Sequence, residues 1–158
     1  MSTAPSSPFT LAAFDLDPRL AADTAVVGDW PLCRVLRMND ARYPWYILVP
    51  RRKGLVEWVT LDAADRAQLL AESALLSEAL IADHRGYKLN MGALGNVVAQ
   101  YHLHHVMRHI DDPAWPGPVW GHSAPQPMSA ERLNAVCERA RQYLNDFSAA
   151  TKALIHFG

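Results

Sequence analysis

The chain is short of several features that mark common protein classes. It has only two cysteines, Cys33 and Cys137, and no Cys-x-x-Cys pair, which argues against a disulfide scaffold or a cysteine-bound zinc. Basic residues are not in excess, because 15 Lys and Arg against 16 Asp and Glu give a net charge of −1. We therefore expect no nucleic acid as a partner. No window holds the roughly 18 apolar residues that a membrane span needs, so no membrane partner is expected either.

The amino-terminal segment lacks a targeting pattern. Residues 1–14, MSTAPSSPFTLAAF, hold no basic stretch and no long apolar run, so we predict no signal peptide and a cytoplasmic protein. Residues 1–8 are rich in Ser, Pro and Ala and are predicted to be flexible. A chain of 158 residues fits one domain. We predict this domain over 9–127, with a carboxy-terminal helical segment over 128–158 packed on it.

Apolar patterning predicts five strands and two long helices. The first helix is expected over 62–85, with Asp62 as its N-cap and Gly86 just beyond its end. A second helix begins after Ser129. Strands at the start of the chain followed by helix, two strands and helix indicate an α+β fold, with an antiparallel sheet and helices on one side. The predicted strands are 25–29, 32–38, 46–49, 87–91 and 98–109.

The most informative segment is Gln-Tyr-His-Leu-His-His-Val, residues 100–106. Side chains alternate faces along a strand, so Gln100, His102 and His104 share one face while His105 lies on the other, which we expect to face the core. Imidazole titrates near neutral pH, so two such rings side by side suit nucleophilic or acid–base chemistry.

A metal site is the alternative reading of the same pair of histidines. His-x-His can supply two ligands to one ion, but zinc usually takes three or four from the protein. Asp111, Asp112 and His122 are candidates for a third ligand, and none has a diagnostic spacing. We therefore predict no metal and no cofactor.

This segment resembles the histidine-triad (HIT) superfamily, whose motif is His-φ-His-φ-His-φ-φ, with φ apolar. The lead-in Gly95-Asn96-Val97-Val98 is similar to the family's approach to that motif. A turn and strand at 39–49, the helix at 62–85 and the Trp-Pro-rich run at 115–121 fall in the family's order. The resemblance covers about residues 10–122. It implies a HIT-like fold with an antiparallel sheet of about five strands, a central helix and a C-terminal helix.

The resemblance also implies a reaction, that of a nucleotide hydrolase or nucleotidyl transferase. His102 would attack the α-phosphate and form a covalent nucleotidyl-histidine, which splits one difficult displacement into two easier ones. His104 would bind the phosphoryl oxygens and help the leaving group. Gln100, Gly95, Asn96 and Val97 would support the phosphate or the leaving group, with backbone N–H groups near the glycine loop as donors.

A nucleoside site and a dimer follow from the same resemblance. Asn39 or Asp40 is expected to meet the ribose hydroxyls, and Asn90, which falls where the family often has a polar residue, is a third candidate for binding the nucleoside. Trp115 and Trp120 either close the pocket, anchor the loop or pack across a dimer. The expected partners are a nucleotide or nucleoside phosphate derivative and a second copy of the chain, as a homodimer.

Three positions depart from the family pattern. Gln100 replaces the first histidine, and it can donate and accept hydrogen bonds but cannot act as an acid. Val97 stands where many members have a hydroxyl, and His105 stands where an apolar residue is expected. The nucleophile remains in place, and a non-catalytic nucleotide-binding module is the alternative function.

Overall fold

The computed structural model describes residues 14–151 and 157, so the segment predicted to be flexible, 1–8, lies outside the described residues. None of the helices in the described ranges is long and apolar enough to cross a membrane. A 3-10 turn follows the third strand at Trp58–Thr60. The other elements, in chain order, are α1 (Pro18–Asp23), β1 (Thr24–Asp29), β2 (Cys33–Met38), β3 (Trp45–Pro50), α2 (Ala63–His84), β4 (Lys88–Gly92), β5 (Leu103–Arg108) and α3 (Ala130–Ala150).

The five strands form one antiparallel sheet in the order β1-β2-β3-β5-β4. This confirms the predicted α+β class. β3 and β5 pair in the middle of the sheet, with Ile47 opposite His104 and Tyr46 opposite His105. β4 lies at one edge. The histidine-bearing strand is therefore held on both sides.

The prediction of β5 over 98–109 was wrong at its start. The strand begins at Leu103, and the backbone N–H of Tyr101 donates to the carbonyl of Leu55. The chain ahead of β5 thus pairs with the loop after β3 rather than with β3 itself. His102 lies in this irregular approach and His104 lies in the strand.

The two faces of the sheet are covered differently. One face packs against α2 and α3, in a core that includes Val35, Leu48 and Leu76. The other face is covered by α1 and by loops, in a core that includes Ile47 and Val106. All six residues of β3 are buried, which agrees with its unbroken apolar sequence. The candidate site lies on the loop-covered face.

Candidate active site

His102 and His104 lie side by side on the loop-covered face. Their ring centroids are 4.9 Å apart at an interplanar angle of 76°, and the residues are only 7% and 8% exposed. Both line a cavity of about 320 Å³, together with α1 and the loop 94–98. The structure therefore brings the two histidines together at one concave site.

A hydrogen bond to the backbone assigns the neutral tautomer of His102. Its Nδ1 lies 2.6 Å from the carbonyl oxygen of Gln100. A carbonyl oxygen only accepts, so Nδ1 carries the proton and the lone pair of Nε2 is free. This is the form of imidazole that can attack an electrophile.

The opposite tautomer is assigned to His104. The indole Nε1 of Trp45 lies 2.9 Å from His104 Nδ1, and an indole nitrogen only donates. Nδ1 is therefore an acceptor, and the proton of the neutral ring is on Nε2. Burial, with smaller contributions from His102 and His105, lowers the pKa of His104 to about 3. At neutral pH this ring is an uncharged donor.

The loop that precedes the histidines reaches the same cavity. Gly95, Asn96 and Val97 line it with His102 and His104. Gly95 has φ of 71°, a conformation that glycine adopts without steric cost. The Val97 residue is 76% exposed, so an apolar side chain stands at the rim.

Gln100 makes side-chain contacts with the segment ahead of α1. Its Oε1 accepts from the backbone N–H of Asp17 and its Nε2 donates to the carbonyl of Asp15, both at 2.9 Å. Its own carbonyl holds His102. Gln100, at the first motif position, thus forms hydrogen bonds through both its side-chain amide and its backbone carbonyl.

The three residues predicted to bind the nucleoside hold neighbouring parts of the protein. The Asn39 side-chain oxygen accepts from Met128 N, and that of Asn90 accepts from Arg108 Nη1, both at 2.8 Å. Asp40 forms an ion pair with Arg42 at 2.6 Å.

Asp40 shares a cavity with His104, one of the two catalytic candidates. It lines a space of about 230 Å³ with His104 and Trp120.

The two loop tryptophans have different surroundings. The ring of Trp120 is 5.7 Å from that of His104 and 6.1 Å from that of Trp45, so it forms a wall of the site. Trp115 packs edge-on against Tyr87 at 5.3 Å and lies 5.6 Å from the guanidinium of Arg108. Trp120 encloses the site, and Trp115 anchors the loop.

His105 points to the other face of the sheet, as alternation predicts. Its Nε2 lies 2.8 Å from Ser73 Oγ on α2, and its Nδ1 is 3.3 Å from the carbonyl of Leu103. Burial lowers the pKa of His105 to about 4, against the smaller opposing effect of the Leu103 hydrogen bond. The ring is neutral and structural.

The metal alternative lacks a third ligand in the described part of the chain. No cluster of three or more His, Cys, Asp or Glu that could hold an ion is found there. Asp112, one of the candidates, binds Arg108 through both carboxylate oxygens, at 2.6 and 2.8 Å.

Trp45 and Arg19 also line cavities that contain His104, and no sequence pattern predicts this. Trp45 opens a strand that is otherwise aliphatic or aromatic and buried, and its contact with His104 spans 59 residues. Arg19 lies on α1, which lines the cavity. Neither position has a local pattern that indicates its neighbours.

Comparisons with known proteins bear on the fold and the family. A family model of the HIT domain matches residues 19–110. The structure resembles a histidine triad protein from Marinobacter aquaeolei VT8, with 46% identity and a TM-score of 0.81, over 86% of this chain and 99% of that one. It also resembles a histidine triad protein from Bradyrhizobium japonicum, with 42% identity and a TM-score of 0.80, over 84% of this chain and 99% of that one.

A more distant likeness shows the fold alone. Plasmodium falciparum diadenosine triphosphate hydrolase is 15% identical with a TM-score of 0.56, over 92% of this chain and 90% of that one. Comparison with curated proteins gave no match. The family model spans more than half of the chain and the two histidine triad proteins exceed 40% identity, so this chain belongs to the HIT domain family.

Proposed function

We propose that the protein is a nucleotide hydrolase or nucleotidyl transferase that acts at the α-phosphate through a covalent intermediate on His102. The observation that carries the proposal is the pair of opposite tautomers. His102 exposes a lone pair on Nε2, because its Nδ1–H is bound to Gln100 O at 2.6 Å. His104 offers an N–H donor beside it, because Trp45 occupies its Nδ1.

The first step forms a bond between His102 Nε2 and the α-phosphorus and breaks the bond from phosphorus to the leaving group. The leaving group departs with the bonding electron pair, as an anion when it is a phosphate, and takes a proton from solvent water when it is an amine. The phosphorylated ring is cationic and keeps its Nδ1 proton, which the Gln100 carbonyl stabilises. In the second step water, or another acceptor, attacks phosphorus and the P–N bond breaks. Water gives a nucleoside monophosphate, releases its proton to solvent and restores the neutral ring.

His104 acts in this scheme as a hydrogen-bond donor rather than as an acid. A ring with a pKa of about 3 is neutral at pH 7 and has no proton to give without becoming an anion. Its Nε2–H is suited to a phosphoryl oxygen, where negative charge develops. A preorganised donor in a site shielded from water stabilises such charge strongly.

An activity panel tests the proposal. Nucleoside phosphoramidates, dinucleoside polyphosphates and nucleotide sugars are offered to the purified protein and to the His102→Ala and His102→Gly variants. We expect release of nucleoside monophosphate, and a loss of at least about 10³-fold in kcat without the nucleophile. The proposal fails if no substrate is turned over faster by the protein than by the variants.

The second candidate is a module that binds nucleotides without turnover. It is favoured by Val97, which presents no hydroxyl at the rim of the cavity, and by the absence of an ionisable group on Gln100. Calorimetry with a nucleoside monophosphate that shows binding, together with no turnover in the panel, selects this candidate.

We also propose that the protein is a homodimer. The expectation comes from the family, and an apolar surface supports it. Leu70, Met91 and Trp58 are 71%, 47% and 49% exposed and line a mainly apolar cavity of about 430 Å³ on the α2 side. The edge strand β4 contains Met91 and lies beside this surface. Exposed apolar surface next to an edge strand is typical of an interface.

A further inference from the structure

Gln100 forms a two-point link between the histidine segment and the start of the chain. Its amide group donates to Asp15 O and accepts from Asp17 N, both at 2.9 Å and across 85 and 83 residues of sequence. The side chain thus pairs with this segment as a neighbouring peptide group would in a sheet. Both hydrogen-bonding functions of the amide are used.

The segment that Gln100 holds leads directly into α1. Asp17 is the N-cap of this helix, and its Oδ1 accepts from Arg19 N at 2.8 Å. A helix of six residues does not hold its position alone, because nucleation is costly and few internal bonds repay it. The placement of α1 therefore depends on contacts with the rest of the protein, which include the packing of Leu20, 6% exposed, and the link to Gln100.

α1 brings charge to the cavity that holds the two histidines. Arg19 and Asp23 lie one helical turn apart, and both line it. Among the described residues that line this cavity, Arg19 is the one with a permanent positive charge. A guanidinium matches the geometry of phosphate oxygens and binds them with charge-assisted hydrogen bonds. His104 cannot supply that charge, because its buried ring is neutral at pH 7.

We propose that Arg19 binds a phosphate oxygen of the nucleotide, and that Gln100 is the positioning residue that holds α1 in place for this contact. The inference rests on the proposed function, since it names a binding group for the same substrate. Gln100 then has two roles: its carbonyl fixes the tautomer of His102, and its amide fixes the wall that carries Arg19.

This role accounts for an amide at the first motif position. The oxygen and nitrogen of an amide project side by side, so they can meet the N–H and C=O of one extended segment. The two nitrogens of an imidazole point in diverging directions. A histidine at this position could therefore form a hydrogen bond with the N–H of Asp17 or with the C=O of Asp15, but not with both. Gln100→His should therefore behave like Gln100→Ala rather than improve the site.

Calorimetry with a nucleoside monophosphate and with the matching nucleoside is the test. Arg19→Ala should raise the Kd of the monophosphate about ten-fold, as expected for loss of a charge-assisted hydrogen bond, and leave the Kd of the nucleoside unchanged. Gln100→Ala should likewise raise the Kd of the monophosphate and leave the Kd of the nucleoside unchanged. In the double variant, Arg19→Ala should raise the Kd of the monophosphate little beyond the value for Gln100→Ala alone, because the two residues act through one contact.

Two control variants match these changes in chemistry. Lys53→Ala removes an exposed cation, and Gln142→Ala removes a glutamine of α3 that bonds to Asp146. Both should bind the monophosphate as the unchanged protein does. Hydrogen exchange of the backbone over residues 15–23 should quicken in Gln100→Ala and not in Gln142→Ala, which reports the release of α1 directly.

The outcomes separate this inference from the proposed function. An unchanged Kd for the monophosphate in Arg19→Ala overturns the phosphate contact, and additive effects of the two changes overturn the positioning role. Neither outcome touches catalysis by His102. If Arg19→Ala weakens binding while His102→Ala keeps its turnover, the proposed reaction fails and the binding role stands. If the unchanged protein binds no nucleoside monophosphate, both fail.

Discussion

The tautomer of His104 is determined by one neighbouring side chain. The Trp45 indole N–H, 2.9 Å from Nδ1, makes this nitrogen an acceptor and leaves the proton on Nε2. Removing the indole N–H leaves the ring free to take either tautomer. Trp45 is thus a positioning residue for the ring that we propose as the hydrogen-bond donor to phosphate.

Trp45→Phe tests this assignment. We expect kcat to fall about ten-fold, since a buried hydrogen bond is lost and the ring is no longer held in one tautomer, with a smaller change in KM. Nitrogen chemical shifts of His104 should show a mixture of tautomers. Trp30→Phe is the matched control, because Trp30 is also buried and packs against Phe157. The assignment fails if both variants lose activity equally, or if the Trp45→Phe shifts still show one tautomer.

Two buried neutral histidines make stability dependent on pH. The folded-state pKa values of His104 and His105 are about 3 and about 4, below the unfolded value of about 6.5. Between pH 6.5 and 4 the unfolded chain takes up protons that the folded protein does not bind. Stability is therefore full above about pH 6.5 and is lost as the pH falls.

Urea unfolding at pH 7 and pH 5 measures this effect. Each histidine should make the free energy of unfolding about 2 kcal/mol lower at pH 5 than at pH 7. The double variant His105→Leu and Ser73→Ala removes one titrating ring and its partner, so the difference between the two pH values should shrink by about 2 kcal/mol. An equal pH dependence in this variant would show that His105 is not held neutral.

At the scale of elements, local patterns predict the inside of each element better than its ends. The apolar run of β3 and the Asp62 cap of α2 are as expected, because they depend on neighbouring residues. The start of β5 is not, because it depends on the loop around Leu55. The end of α2 differs as well. A glycine just beyond a helix commonly takes the left-handed conformation, but here Arg85, with φ of 47°, takes it and Gly86 does not.

Substitutions at these two adjacent residues should have opposite signs. A Cβ at Gly86 would lie 2.6 Å from Met107 Cγ and 2.8 Å from Arg108 O, so Gly86→Ala should destabilise the protein by about 1–3 kcal/mol. Arg85→Gly should stabilise it by about 0.5–1 kcal/mol, since glycine adopts a positive φ without strain. Thermal unfolding gives both values. A stable Gly86→Ala would contradict the close approach of this turn to β5.

At the scale of the molecule, the two long helices and the candidate site lie on opposite faces of the sheet. Helices α2 and α3 cover one face, and the site occupies the other under loops. Alternation along 100–106 predicts that His102 and His104 share a face opposite His105. The hydrogen-bond partners of this segment, Trp45, Ser73 and Asp17, lie 32 or more residues away in sequence, and no local pattern encodes them. The motif can be recognised from the sequence, but the geometry of its side chains depends on these long-range contacts.

The proposed dimer belongs to this scale too. Light scattering should give a mass twice the 17.6 kDa of the chain, and Leu70→Glu should shift it to one chain by placing a charge in the apolar surface. Ile81→Glu is the matched control, an exposed apolar residue of the same helix, 52% exposed, that does not line the cavity at Leu70. A dimer that survives Leu70→Glu would contradict this interface.

The central claim is that two displacements occur at phosphorus, the first by His102. The stereochemistry of hydrolysis tests it most directly, with a substrate whose α-phosphorus is a chiral phosphorothioate and isotopically labelled water as the acceptor. Each in-line displacement inverts phosphorus, so a covalent intermediate gives retention. We predict retention of configuration. Inversion would mean direct attack by water and would contradict a nucleotidyl-His102 intermediate.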